Sequence, residues 1–92
     1  MNKNDLVNSV SQKLRKTKKD TNQIINAFLE EVMDALINGE RVVLSNFGTF
    51  EKSTTKPIDI YSPYDGKLLK NVHQIRIRFK SSNYFKNKLK DN

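Results

Sequence analysis

Residues 40–50 read Glu-Arg-Val-Val-Leu-Ser-Asn-Phe-Gly-Thr-Phe, and this stretch decides the fold. It opens with an apolar run, Val42–Leu44, and reaches a glycine, Gly48, that lies between two phenylalanines, Phe47 and Phe50. A glycine at such a point is typical of a tight bend or of a close approach between backbones, and paired aromatic rings build cores. The stretch therefore predicts a β-hairpin that belongs to a small aromatic core.

Two amphipathic helices are predicted ahead of the hairpin. The first begins at about residue 3 with Asn2 as its N-cap, because apolar residues recur there at helical spacing. A sequence that resembles a capping box, residues 17–20, opens the second helix, and Asn38-Gly39 closes it. The apolar stripe of the second helix is too wide for a chain of 92 residues to cover alone, so a dimer is expected. That stripe consists of Ile24, Ile25, Phe28, Leu29, Val32, Met33, Leu36 and Ile37.

A β-ribbon is predicted after the hairpin. Residues 62–66, Ser-Pro-Tyr-Asp-Gly, are a strong turn signal, because proline presets φ and Asp-Gly tolerates a chain reversal. β-branched and aromatic residues precede the turn and favour extended chain. The pattern predicts an arm that projects from the body of the protein.

A cationic strand and a short helix are predicted to follow the arm. Residues 74–80, Gln-Ile-Arg-Ile-Arg-Phe-Lys, alternate between apolar and cationic side chains, which is typical of a half-buried strand. Its outer face would carry Arg76, Arg78 and Lys80, a row whose mutual repulsion is tolerable if an anion binds there. Ser81 or Ser82 is expected to cap a last helix over residues 83–90, which turns Phe85 and Leu89 inward.

The net charge of +7 lies entirely in the C-terminal part of the chain. Residues 1–51 carry seven basic and seven acidic side chains, whereas residues 52–92 carry ten and three. Such asymmetry is typical of a protein that binds a polyanion.

Several other functions are excluded by composition. The chain has no cysteine and a single histidine, His73, and it contains neither a glycine-rich phosphate loop nor a recognisable pair of catalytic acids. We therefore expect no enzymatic activity, no catalytic residues, no metal site and no cofactor. No apolar run approaches the roughly 20 residues that span a bilayer, so we expect no membrane partner and a cytoplasmic location.

The hairpin sequence resembles the signature of the HU/integration host factor family of bacterial histone-like DNA-binding proteins, whose hairpin pattern is close to Gly-Phe-Gly-Thr-Phe. Asn46 replaces the first glycine of that pattern. The resemblance covers essentially the whole chain. It includes Met1-Asn2-Lys3, Asn38-Gly39-Glu40, Pro63, Gly66-Lys67, Phe79 and Lys86.

This resemblance implies a single α+β domain over residues 1–92 that forms an intertwined homodimer. Two N-terminal helices, within residues 1–39, would form a dimerisation base. Residues 40–92 would form the DNA-binding part, with a three-stranded antiparallel sheet, an extended β-ribbon arm at about residues 53–72 and a short C-terminal helix. The members most similar to this chain would be HU proteins.

The family's function would follow from this fold. The resemblance implies an architectural protein that bends and compacts double-stranded DNA in the bacterial nucleoid with little or no sequence specificity. The two sheets would form a cationic saddle, the arms would enter the minor groove, and Pro63 would wedge between base pairs. Nicked, kinked or junction DNA would then be favoured.

The arm departs from the family pattern, which is near Arg-x-Gly-Arg-Asn-Pro-x-Thr-Gly. Residues 58–66 read Ile-Asp-Ile-Tyr-Ser-Pro-Tyr-Asp-Gly, so both arginines and the asparagine are missing. We therefore expect weak arm contacts with DNA and a larger share of the affinity from the strand cations. The expected DNA-binding residues are Lys3, Lys18, Lys52, Lys56, Tyr61, Pro63, Lys67, Lys70, Arg76, Arg78, Lys80, Lys86 and Lys90. The expected dimer core consists of Leu29, Val32, Leu36, Leu44, Phe47, Phe50 and Phe79.

Two alternative functions stay open at the level of sequence. The apolar arm could bind another protein, which would make the chain an interaction protein. The basic C-terminal part could instead bind RNA or polyanions in general.

Overall fold

The computed structural model describes residues 1–54 and 58–91, apart from the side chain of Asn71. The chain divides into two compact units, Met1–Asp34 and Ala35–Asn92. The secondary structure confirms the α+β class, with two N-terminal helices, five strands in the described part of the chain and a short C-terminal helix. The elements are α1 (Lys3–Leu14), α2 (Lys18–Ile37), β1 (Val42–Leu44), β2 (Gly48–Thr54), β3 (Ile58–Tyr61), β4 (Leu68–Val72), β5 (Ile75–Ser81) and α3 (Asn83–Lys90).

Helix α1 is capped at both ends. The Asp5 N–H donates to Asn2 Oδ1 at 3.0 Å and the Asn2 N–H donates to Asp5 Oδ2 at 3.1 Å, which confirms Asn2 as the N-cap. At the other end Arg15 adopts a left-handed conformation with φ 54°, and the Lys16 N–H donates to the Ser11 carbonyl at 2.9 Å. Glycine usually occupies that position, so the arginine adds backbone strain at the end of α1.

Helix α2 has the boundaries that its capping residues predict. The Asp20 N–H donates to Thr17 Oγ1 at 3.1 Å at the start of the helix. At its end Gly39 has φ 82°, and the Glu40 N–H donates to the Ala35 carbonyl at 2.9 Å. This bond pattern satisfies carbonyl groups that the last turn leaves without helical partners.

The strands form a three-stranded sheet and a separate two-stranded ribbon. The order in the sheet is β1-β2-β5, and both of its pairs are antiparallel. The ribbon consists of β3 and β4, with Tyr61 opposite Leu68 and an irregular register between Ile58 and Ile60. The predicted sheet and the predicted arm are therefore both confirmed.

Four phenylalanines form the aromatic cluster of the second unit. The Phe47 ring centroid lies 5.3 Å from that of Phe79 and 5.5 Å from that of Phe85, with the Phe85 ring nearly parallel. Phe50 packs against Phe79 at 4.7 Å. The hairpin, the last strand and α3 are thus joined by aromatic packing.

Large apolar side chains stay exposed in a single chain. Ile75 and Ile77 are 66% and 55% exposed, so β5 is not half-buried as its alternation predicted. Leu89 is 62% exposed and does not point inward as expected. Among the apolar side chains of α2 only Leu36 is buried, at 7%. The physical reason is size, because one chain of this length has too little structure to cover these surfaces.

Candidate nucleic-acid interface

The three-stranded sheet has two chemically different faces. Residues directly opposite each other on antiparallel strands share a face, and successive residues alternate between faces. Register places a mainly apolar set on one face, which we call the apolar face: Val42, Leu44, Gly48, Phe50, Ile75, Ile77 and Phe79, together with Lys52, Thr54 and Ser81. The other face, which we call the cationic face, carries Val43, Thr49, Glu51, Ser53, Arg76, Arg78 and Lys80.

The cations of β5 stand opposite small or acidic partners on β2. Arg76 faces Ser53, Lys80 faces Thr49, and Arg78 faces Glu51. The cations are exposed, and Arg76 Nη2 donates to Gln74 Oε1 at 2.9 Å. The sequence prediction that these three cations share one outward face is consistent with this register. Glu51 is the acidic residue of the face and reduces the local positive potential beside Arg78.

An open trough of about 690 Å³ is lined by residues of the cationic face together with Leu44, Gly48 and Phe79 of the apolar face. Arg41, Arg78 and Lys80 supply cations to it, and Glu51 supplies one acid. Polar side chains from the hairpin loop and from the start of α3 complete the wall. These are Ser45, Asn46, Ser82 and Asn83.

The start of α3 is attached to the hairpin loop at one end of the trough. The Ser82 N–H donates to the Phe47 carbonyl at 2.9 Å, and Ser82 Oγ accepts from the Phe85 N–H at 3.2 Å. Ser82 is thereby confirmed as the N-cap of α3. The partial positive charge of the helix start adds to that of the three cations, so the trough suits an anion such as a phosphate group.

The β-ribbon ends in a hydrogen-bonded turn. The Ser62 N–H donates to the Lys67 carbonyl at 2.8 Å, and the Gly66 N–H donates to the Ser62 carbonyl at 3.0 Å. Gly66 has φ 70°, a conformation that glycine adopts at little cost. Pro63 and Tyr64 lie within this turn and are exposed, Tyr64 to 96%.

Comparison with known proteins agrees with this arrangement of a sheet, an arm and cations. A family described as bacterial DNA-binding protein matches residues 1–90. The chain belongs to this family. It is 36% identical over 89 residues to the DNA-binding protein HU of Lactococcus lactis, covering 97% of this chain and 98% of the relative. It is also 47% identical to HU of Clostridium pasteurianum over 51 residues, which is 55% of this chain and 56% of that protein.

Solved structures of HU proteins share the fold of this family member. An Anabaena HU–DNA cocrystal structure matches with a TM-score of 0.84 and 29% identity, covering 97% of both chains. HU from Thermotoga maritima matches with a TM-score of 0.68 and 28% identity, covering 97% of this chain and 98% of the other. The family consists of DNA-binding architectural proteins and is not an enzyme family.

The remaining expected DNA contacts lie at separate places. Lys52 is opposite Ile77 and therefore belongs to the apolar face, not to the cationic face. Lys86 and Lys90 are exposed on α3, and Lys67 and Lys70 are exposed on the ribbon, as is Tyr61. Lys56 lies outside the described residues.

The two expected contacts of the first unit have polar surroundings. Lys3 Nζ donates to Asn26 Oδ1 at 2.8 Å. Lys18 lines an open groove of about 470 Å³ with Lys19, and the other groove residues include three asparagines: Asn4, Asn8 and Asn22. This groove therefore offers both ammonium and amide N–H donors to a ligand.

The expected dimer-core residues differ in burial. Leu36 is buried, whereas Val32, Leu44 and Phe50 are half-buried. Leu29, Phe47 and Phe79 are more exposed than these in a single chain.

Sequence reasoning missed part of the trough. Arg41, Asn46 and Asn83 were not among the expected DNA contacts, yet all three line it. Strand alternation could have indicated Arg41, since it lies two residues before Val43 on the cationic face. Asn83 had no such signal, because its position depends on how α3 docks on the hairpin loop.

The described part of the chain holds neither a cluster of metal ligands nor a membrane-spanning helix. Among residues 1–54 and 58–91 no three His, Asp or Glu side chains lie together as metal ligands would. No helix there is long and apolar enough to cross a membrane.

Proposed function

We propose that this chain forms a homodimeric architectural protein that binds double-stranded DNA with little sequence selectivity, and bends and compacts it in the bacterial nucleoid. The observation that carries the proposal is the division of one sheet into a cationic face and an apolar face. A cationic face suits a polyanion, and an exposed apolar face suits a second protomer. Family membership and the DNA complex of the Anabaena relative support DNA as the polyanion.

The chemistry of the cationic face favours phosphate over base edges. Arg76, Arg78 and Lys80 offer charged N–H donors. Thr49 and Ser53 offer hydroxyl groups opposite Lys80 and Arg76. Such groups contact phosphates irrespective of base sequence, and each neutralised phosphate releases condensed counterions. Binding would therefore be weakly selective and strongly dependent on salt.

The exposed apolar surface supports a homodimer. Ile24, Phe28, Met33 and Ile37 are exposed along α2, and Ile75 and Ile77 are exposed on the sheet. Monomeric proteins of this size rarely leave such extensive apolar surface in water. A second copy would cover it, and folding and dimerisation would then be one event.

The arm would act on the shape of DNA. Pro63 lies in an exposed, hydrogen-bonded turn at the end of the ribbon, where a rigid apolar ring could enter between base pairs from the minor groove. Inserting a wedge unstacks a base step and kinks the duplex. DNA that is already nicked, kinked or branched costs less to distort, so it would be bound in preference.

Gel-shift titrations with four nucleic acids test the proposal. Linear duplex DNA, nicked duplex DNA and a four-way junction of the same length should all bind, with the nicked and branched forms binding more tightly. Duplex RNA should bind less well, since its narrow, deep major groove and shallow minor groove suit neither the arm nor the wedge. Equal affinity for RNA would indicate a general polyanion binder, and absence of binding to all four would indicate an interaction protein.

A further inference from the structure

The arm of this chain has an unusual combination of charge and exposure. Residues 58–72 contain two lysines and two aspartates, so the ribbon carries no net charge. Its exposed apolar side chains include Tyr61, which is 74% exposed, and Tyr64, which is 96% exposed. A ribbon with this composition gains little from phosphate groups, because the counterion term depends on neutralised charge.

The turn that carries Tyr64 is ordered by its own hydrogen bonds. Besides the two backbone bonds that close the turn, the Tyr64 N–H donates to Ser62 Oγ at 3.3 Å. Asp65 Oδ1 accepts from the Lys67 N–H at 3.0 Å, which holds this carboxylate against the backbone of the turn. An exposed ring on an ordered turn loses little conformational entropy when it binds a ligand.

We propose that Tyr64 stacks on nucleobases that have lost a stacking neighbour, so that the arm recognises unstacked bases rather than phosphates. This inference rests on the proposed function and deepens it, since it assigns a ligand to the tip of the arm. Pro63 would open or enter the base step, and the adjacent Tyr64 ring would cover the exposed face of the base. Tyrosine suits the role because it is planar, rigid and apolar on both faces.

The observations favour a base over a protein partner or a phosphate. Every nucleobase has a flat π-face, and stacking on an aromatic side chain needs neither a pocket nor a charge. The apex offers one fully exposed ring next to a proline. Stacking on one base strengthens binding by about 5- to 150-fold, enough to distinguish gapped from intact DNA.

Affinity measurements on a matched pair of DNA duplexes test this role. One duplex is intact, and the other has a two-nucleotide gap opposite a 2-aminopurine, whose fluorescence reports stacking. Tyr64→Ala should reduce affinity for the gapped duplex by about 5- to 150-fold and leave the intact duplex within about twofold. Tyr64→Phe should keep the wild-type ratio, since it keeps the ring, and the ratio should not change with salt.

A second tyrosine supplies the control. Tyr84 on α3 is also exposed, so Tyr84→Ala removes a surface ring elsewhere and should leave the ratio of the two affinities unchanged. The inference is overturned if Tyr64→Ala keeps the wild-type ratio and the wild-type change in 2-aminopurine fluorescence while intact duplex still binds. The proposed function itself fails if wild-type protein binds neither duplex, and the inference then fails with it.

Discussion

The ring of Phe79 lies against the backbone of Gly48 so closely that a Cβ atom at Gly48 would come within 2.5 Å of Phe79 Cε1. The same Cβ would lie 2.6 Å from the Lys80 carbonyl oxygen. The glycine of the hairpin is therefore required for packing, because its bare Cα lets β2 pass beneath an aromatic ring.

Substitution of Gly48 by alanine should destabilise the protein by about 1–3 kcal/mol, since the ring and the β5 backbone must both move. Chemical denaturation of the single variant and of Gly48→Ala with Phe79→Leu checks the cause. Gly48→Ala should destabilise the Phe79→Leu variant less than it destabilises the wild type, because leucine lacks the ring edge that the new methyl group meets. Strict additivity of the two effects would contradict this explanation.

Leu29→Ala and Phe47→Ala should each cost about 2–5 kcal/mol, the range for fully buried side chains. Both residues are partly exposed in one chain, so costs this large require cover from a second protomer. The wild-type Tm should also rise with protein concentration, as it does for an obligate dimer. A Tm independent of concentration, together with monomers in sedimentation experiments, would contradict the proposed dimer.

Removing a cation from the cationic face should change the salt dependence of DNA binding. Arg76→Ala and Arg78→Ala should lower the slope of log K against log salt by about 0.9 for each phosphate that is no longer neutralised, equally for all sequences. Lys52→Ala is the matched control, because Lys52 belongs to the same sheet but to its apolar face. Glu51→Gln should raise the affinity for DNA, since it removes the acid opposite Arg78. A change in sequence preference in either arginine variant would mean that this face contacts bases.

The bond between Lys3 and Asn26 predicts an effect of one added charge. Asn26→Asp should replace the neutral amide acceptor with a carboxylate, so that the bond becomes an ion pair, and weaken DNA binding a few-fold at low salt, because Lys3 would be partly neutralised. Gln23→Glu adds the same charge to α2 at an exposed position and should weaken binding less. Equal reductions in the two variants would show that net charge matters and the Lys3 contact does not.

Pro63→Ala should leave affinity for linear duplex almost unchanged and make the bend shallower. Unstacking a base step costs roughly a few kcal/mol, and a wedge offsets this cost without any contribution from charge. Tyr61→Arg should raise affinity instead, since it adds a cation to the ribbon, whose residues 58–72 carry no net charge. Energy transfer between dyes at the two DNA ends measures the bend angle in complexes with the wild type and with both variants. A Pro63→Ala complex as sharply bent as the wild type would exclude the wedge.

Much of the fold could be predicted from local patterns. Alternation over residues 74–80 sorted Arg76 from Ile77, and capping chemistry at Asn2 and Ser82 gave the helix starts. These features depend on residues close together in the sequence, so they could be predicted without knowledge of tertiary contacts.

The sequence did not show which groups tertiary packing would bring together. The side of the sheet that carries Lys52 had to be counted from Phe50, since polar residues 51–54 show no apolar alternation of their own. The trough depends on the bond between Ser82 and Phe47, which links segments far apart in the chain. Exposure of Ile75 and Ile77 likewise depends on what covers the sheet, and a single sequence pattern does not specify that.

Phe47 participates in two structures at once. Its ring stacks on Phe85, whereas its carbonyl group holds the first residues of α3 beside the trough. A variant at Phe47 that folds yet binds DNA poorly would thus indicate that α3 has been displaced. Because Phe47 links the aromatic cluster to the trough, a substitution in the cluster would also shift the residues that line the trough. Selection on packing and selection on binding would therefore act on the same residue.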